Sequence, residues 1–133
     1  MTVRKLPIRS IEDERGRLGV VEFENDLPFE VKRVYYLSCL SGSHPRGFHA
    51  HRALRQLATC LTGSCKMLLD TGGTKEWVEL SSRDNSGVLI EPMVWHEMHD
   101  FSKDCVFLVY ASDTYKEDDY IRNYEQFLEE LNI

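Results

Sequence analysis

Short runs of β-branched, aromatic and aliphatic residues recur along most of this chain, each cut off by Gly, Pro or a polar turn. That rhythm limits the fold more than any other feature, because many short strands at close spacing signal a sandwich or a barrel. The runs cover residues 3–8, 17–24 after the Arg15-Gly16 turn, 29–38, 47–51, 57–61, 65–69, 77–80, 88–90, 94–96 and 105–111. Gly63 and the pair Gly72-Gly73 mark the sharp bends, and a polar loop runs from Ser41 to Pro45. The period changes only near the end. Tyr120, Ile121, Tyr124, Phe127, Leu128 and Leu131 recur at helical spacing behind the acidic group Glu117, Asp118 and Asp119. The pattern predicts an all-β body, a small jelly roll, with one amphipathic C-terminal α-helix packed on its outside. The stretch 111–120, acidic and aromatic, is expected to link the last strand to that helix without a chemical role.

With 133 residues, the expectation is one domain over 1–133, long enough to bury a core without staples. A net charge of −6 argues against nucleic acid as a partner, which would favour a basic stripe. No apolar run reaches the roughly 18 residues of a membrane span, and no signal-peptide core is visible, so a cytoplasmic location is expected. Cys39, Cys60, Cys65 and Cys105 are expected inside strands and lack metal-site spacing. Cys60 and Cys65 face each other across the Thr62-Gly63 turn in this reading, which allows a cross-strand disulfide. Buried reduced thiols are favoured in a cytoplasmic chain.

The run Pro45-Arg46-Gly47-Phe48-His49-Ala50-His51 carries the chemistry. Histidines at i and i+2 on an extended segment share one face, so His49 and His51 stand side by side. Their spacing to Gly63 resembles the first signature of the cupin barrels, but Gln56 occupies the position of the expected Glu ligand. A second His-rich run, Pro92 to Asp100, places His96 as an inward-facing candidate and adds His99. Against the second cupin signature His96 falls one residue early, and an off-register side chain points to the wrong face unless the strand bulges. With a neutral amide at 56 as well, a metal-free site is expected, in which the imidazoles themselves move protons. Arg33 and Arg46, with Tyr35 or Tyr36, are candidates to clamp phosphates and to stabilise an enolate oxygen.

Four runs together resemble one family along the whole chain. They are Lys32-Arg33-Val34-Tyr35-Tyr36, Pro45 to His51, Val94 to Phe101, and Asp119-Tyr120-Ile121-Arg122-Asn123-Tyr124. The resemblance is to the sugar 3,4-ketoisomerases, cupins that act on dTDP-4-keto-6-deoxy-D-glucose in pathways to deoxyaminosugars of surface glycans. It implies a cupin-type jelly-roll barrel, a dTDP-linked keto-deoxysugar substrate, no catalytic metal and no other cofactor. It also implies a homodimer; because a sandwich of this size leaves exposed edges, residues 3–8 are the expected exchanged strand, bringing Arg15 or Arg17 near the partner's site. The family's paired catalytic histidines fall on His49 and His51. Arg15, Arg33, Tyr35, Arg46, His96 and His99 are the expected substrate-binding residues, and Arg15 with His99 resembles the members that form the galacto product. No Gly-rich nucleotide fingerprint is present, and moving a ketone to the neighbouring carbon needs no redox cofactor. The alternatives are a metal-dependent cupin oxygenase or epimerase, and a non-catalytic nucleotide-sugar-binding cupin.

Overall fold

In a computed structural model, which describes residues 3–132, the chain forms two five-stranded antiparallel sheets, a separate hairpin and one α-helix. The first sheet runs β1 (Lys5–Pro7), β9 (Ser86–Ile90), β6 (Gln56–Thr62), β11 (Val106–Ala111), β4 (Arg33–Leu37). The second runs β12 (Tyr120–Ile121), β5 (Arg46–His51), β10 (Trp95–His99), β7 (Ser64–Asp70), β8 (Lys75–Ser81). The hairpin joins β2 (Arg9–Asp13) to β3 (Gly16–Val20). This is a cupin-like topology built from strands with one C-terminal helix. No described helix is long and apolar enough to cross a membrane.

Alternation places the core between the sheets. On β11 every second residue is buried, and on β4 Val34 and Tyr36 face outward while Tyr35 and Leu37 pack inward. Ala58, Cys60, Ile90, Phe107 and Val109 of the first sheet meet Met67, Leu69, Leu80 and Met98 of the second in one cluster. Pro7 sits on the edge strand β1, where a residue with no N–H leaves no ladder bond unmade. Gly63 makes the turn between β6 and β7 at φ +72°, and a Cβ there would lie 2.8 Å from the Cys105 Cα. Only glycine fits both demands.

Several sequence expectations shift. The run 29–38 is strand only over Arg33–Leu37, and Phe29 is buried instead in a second cluster with Leu27, Leu57 and Leu89. Residues 3–8 shorten to β1, which pairs with β9 of its own chain. The β2 strand was not expected at all, and it has no buried face of its own to show a period: Ile11 and Leu18 pair across the hairpin and are both exposed. Cys39 lies in an exposed loop and Cys105 just precedes β11. All four thiols are free. Cys60 and Cys65 cannot be cross-strand partners, because β6 and β7 belong to different sheets. Cys60 opposes Phe107, and Cys65 opposes Leu80.

The helix begins later than its periodicity suggests. Tyr120 and Ile121 form β12 on the edge of β5, opposite His51 and Ala50, and α1 covers Tyr124–Glu130. Asn123 caps it, its side-chain oxygen accepting from the Gln126 N–H at 2.9 Å. Phe127 is fully buried with Trp95, Ala50 and Ile121, so the helix is docked on the outer face of the second sheet. That docking fixes β12 and, with it, the residue just before it, Asp119.

Candidate active site

Strand β5 carries His49 and His51 on the face turned toward the first sheet, and the fold adds His96 to them. In the β5–β10 ladder His96 pairs directly with His49, and the register slips between His96 and Glu97. Gly47 and Phe48 lie at positive φ (94° and 61°) at that slip, forming a bulge that turns the two strands back into step. The early position of His96 therefore does not expel it. A Cβ on Gly47 would sit 2.9 Å from the His96 carbonyl oxygen, so glycine is what allows the strands this approach.

The three imidazoles form a packed group. Ring centroids are 4.6 Å apart for His49 and His96, 4.9 Å for His49 and His51, and 5.9 Å for His51 and His96. Tyr120 closes one side, 4.4 Å from the His51 ring and 5.1 Å from the His49 ring. Each ring is tied at Nδ1. His51 Nδ1 bonds to the Asp119 carboxylate at 3.0 Å, His49 to the Gly47 carbonyl at 3.1 Å, and His96 to the Val94 carbonyl at 3.1 Å. These oxygens only accept, so every Nδ1 carries the proton and every Nε2 of a neutral ring keeps its lone pair free.

Neutrality is favoured electrostatically. Burial, joined by the neighbouring His49, pushes His51 down to about 4 against the pull of Asp119. Burial lowers His49 as well, and it lowers His96 well below the usual imidazole range. A histidine whose folded value is depressed binds its proton more readily when the chain unfolds. Stability is then fully present above about pH 6.5 and is lost as the pH falls toward 4. For His51 alone that loss is roughly 3 kcal/mol at the acid end of the window. The urea midpoint is expected to drop between pH 7 and pH 5, before most carboxylates titrate. A midpoint flat across that range would contradict the three buried neutral rings.

A cavity of about 290 Å³ opens beside His51, lined by Lys32, Arg33, Lys116, Asp119 and Tyr120 among others. The guanidinium of Arg33 lies over the Tyr35 ring at 5.5 Å and over the Tyr115 ring at 6.0 Å. The Tyr35 hydroxyl donates to Gln56 Oε1 at 2.6 Å, and burial raises its pKa far above that of a free phenol. Arg33, Tyr35 and His96 thus join His49 and His51 in one region. Three other candidates do not. Arg15 sits in the β2–β3 turn, exposed and paired with Asp13. Arg46 is exposed at the start of β5. His99 faces the outside of the second sheet, bonded to Glu97 and packed on Trp77 and Phe48.

Asp119 and Tyr120 were missed, and the stretch 111–120 is more than a linker. Asp119 also accepts from the backbone N–H groups of Ala53 and Leu54, at 2.7 and 3.3 Å, so its carboxylate is locked in place. The run Asp119 to Tyr124 held the available signal, since it is one of the four that carry the family resemblance.

The three histidines also meet the geometry of a metal centre, with one ring nitrogen from each within 4.8 Å of the others. What separates them from a complete centre of the usual cupin kind is the fourth donor, where Gln56 offers an amide already engaged by Tyr35.

The family described as FdtA, WxcM-like C-terminal, matches residues 1–132. A TDP-4-oxo-6-deoxy-alpha-D-glucose-3,4-oxoisomerase from Aneurinibacillus thermoaerophilus is 47% identical over 127 residues, 96% of this chain and 91% of that protein. The crystal structure of a 3,4-ketoisomerase from Helicobacter canadensis superposes with a TM-score of 0.94 at 38% identity, covering 100% of this chain and 99% of that one. A mutant of the 3,4-ketoisomerase QdtA from Thermoanaerobacterium thermosaccharolyticum, in complex with TDP-4-keto-6-deoxyglucose, superposes with a TM-score of 0.92 at 40% identity over 96% of this chain and 92% of the other.

Proposed function

Because this chain belongs to the TDP-4-keto-6-deoxyglucose 3,4-ketoisomerase family, we propose that it moves the ketone of dTDP-4-keto-6-deoxy-D-glucose from C4 to C3 by histidine acid–base catalysis. It is an enzyme acting on a TDP-sugar, as its relatives are. The observation that carries the mechanism is the set of neutral imidazoles held by Nδ1, with Nε2 free. In our reading His51 Nε2 takes the proton from C3, and the C3–H electron pair forms the C3–C4 double bond of an enediolate. The carbonyl π pair moves onto O4. Return of a proton to C4, with transfer of the hydroxyl proton from O3 to O4, completes the isomerisation. No atom is gained or lost. His49 serves as partner to His51 or hydrogen-bonds the enolate, and Arg33 and Tyr35 hold substrate oxygens. His96 lines the same face.

Further parts of the reading rest on the family. Residues 1–133 are taken as one cupin domain whose two sheets form the walls of a jelly-roll barrel. The working form is a homodimer in which an exchanged N-terminal strand brings Arg15 or Arg17 to the partner's site. The galacto configuration of the product is read from Arg15 and His99, which lie apart from the histidines within one chain. Arg46 is assigned to the nucleotide end of the substrate.

Incubating the purified protein with the 4-keto sugar in heavy water, and following C3 and C4 by NMR, tests the reaction. Deuterium at C4 of a 3-keto product, complete or partial, is expected. Complete retention of the C3 hydrogen at C4, unaffected by changes at His51 or His49, would remove the acid–base mechanism.

The triangle of ring nitrogens favours one second reading, a metal-dependent cupin, in which His49, His51 and His96 would be the ligands of a Lewis-acid metal ion. The amide at position 56 argues against it. Elemental analysis and a chelator separate the two: negligible metal with undiminished activity is expected here. Near-equimolar iron, zinc or manganese, with activity lost to the chelator, would support the rival.

A further inference from the structure

Two buried side-chain nitrogens have no hydrogen-bond partner among the described residues, Arg33 Nε and Gln56 Nε2. Both belong to groups that touch Tyr35, one through stacking and one through the hydroxyl. They also share a row across the first sheet, since Ala111 of β11 pairs with Arg33 on one side and with Gln56 on the other. Cross-strand neighbours in a row present the same face, and the next residue in this row, Ile90 opposite Gln56, belongs to the interior core. The row therefore faces the sheet that bears the histidines. Arg33 lines the cavity at His51, and its charge is felt there. Gln56 is 1% exposed. A buried donor left unpaired costs about 1–3 kcal/mol, so two such donors in one inward-facing row, both against Tyr35, point to an acceptor that arrives with a ligand.

We propose that the side-chain amide of Gln56 is an oxyanion donor in the isomerisation, its Nε2–H meeting the substrate oxygen on which the enediolate charge gathers. The inference rests on the ketoisomerase reading and assigns a residue that this reading leaves idle. Tyr35 fixes the amide by donating to its oxygen, which leaves the nitrogen to face the interior. Charge develops on the substrate oxygen only as the proton leaves carbon, so a fixed donor there acts on the transition state more than on the bound ketone. The same argument explains the departure from the cupin signature. A carboxylate at position 56 would face the enediolate with like charge, whereas the isosteric amide faces it with a proton.

Gln56→Met keeps the length of the side chain and removes the donor. It is expected to lower kcat by about 10²–10³-fold, the scale of a lost oxyanion donor, with an equal fall in kcat/KM and dTDP affinity within about twofold of wild type. Gln56→Glu is expected to be as impaired at neutral pH and to recover activity as the pH is lowered, when the protonated acid again has a hydrogen to donate. A readout on wild-type protein needs no variant to fold: the ¹⁵N side-chain amide signal of Gln56 should move on addition of the 4-keto sugar and stay in place with dTDP alone. An active wild type beside a Gln56→Met protein that keeps kcat within about threefold overturns the inference and leaves the isomerase reading standing. So does a loss of dTDP affinity as large as the loss of kcat, or an amide signal indifferent to the sugar. A wild type without isomerase activity overturns the underlying reading, and this assignment with it.

Discussion

His51→Asn is expected to lower kcat by at least about 10²-fold while binding of the nucleotide sugar stays within a few-fold. Asparagine can still donate to the Asp119 carboxylate, but it cannot carry a proton from one carbon to the next, and general acid–base groups contribute on this scale. The large effect is assigned to His51 rather than His49 because of their anchors. His51 is held by a carboxylate that steadies the imidazolium formed when the proton arrives, whereas His49 is held by a neutral carbonyl. His49→Asn should therefore slow the reaction less. The pH profile gives an independent check. A base pushed down to about 4 in the free protein stays deprotonated through neutral pH, so the acid limb of kcat/KM should fall near pH 4 rather than near 6.5. Single-turnover rates and an equilibrium titration with dTDP separate chemistry from binding. Equal, mild losses for the two variants would mean that neither ring is the main shuttle.

The parts of this site that could be read from sequence are those that depend on local spacing. Alternation put His49 and His51 on one face, and Gly63 marked its turn because positive φ leaves a residue signature. His96 resisted the same logic. Its register depends on a bulge at Gly47-Phe48, and positive φ at Phe48, a residue that rarely adopts it, could not be anticipated. Tyr120 and Ile121 satisfy the helical period of Tyr124 and Phe127, yet the free edge of β5 claims them as a strand. Pairing between residues as far apart in sequence as Ala50 and Ile121 wins over local periodicity because it completes a ladder and buries Ile121. Asp119 was hidden for that same reason. Among the four consecutive charged residues Lys116, Glu117, Asp118 and Asp119, with Asp113 nearby, nothing local distinguishes the one carboxylate that tertiary packing turns inward. The strand β2 escaped because its apolar residue Ile11, paired with Leu18 of β3, faces outward.

Asp119→Asn should be nearly as damaging as the loss of His51, although Asp119 acts through the imidazole and is a positioning residue. One carboxylate oxygen accepts from Ala53 N–H, and the other accepts from His51 Nδ1 and Leu54 N–H. Asparagine has one oxygen for these two sides. If it faces Ala53, its NH₂ confronts His51, and the ring must shift its proton from Nδ1 to Nε2 to accept from it. The lone pair that would take the C3 proton is then gone. If it faces His51, the NH₂ meets the Ala53 donor and the 52–54 loop is pushed away. Losses from a wrong tautomer reach about 10⁴-fold in the serine protease triad, and roughly 10²–10³-fold in kcat is expected here because His49 stands close by. A structural role alone would show as lower stability with an unchanged ring. The discriminating signal is the ¹⁵N spectrum of His51, which should report hydrogen on Nδ1 in wild type and on Nε2 in the variant, together with Asp119→Glu restoring part of the rate. A variant that keeps kcat within about threefold, with the proton still on Nδ1, would show that the carboxylate does not set the chemistry of His51.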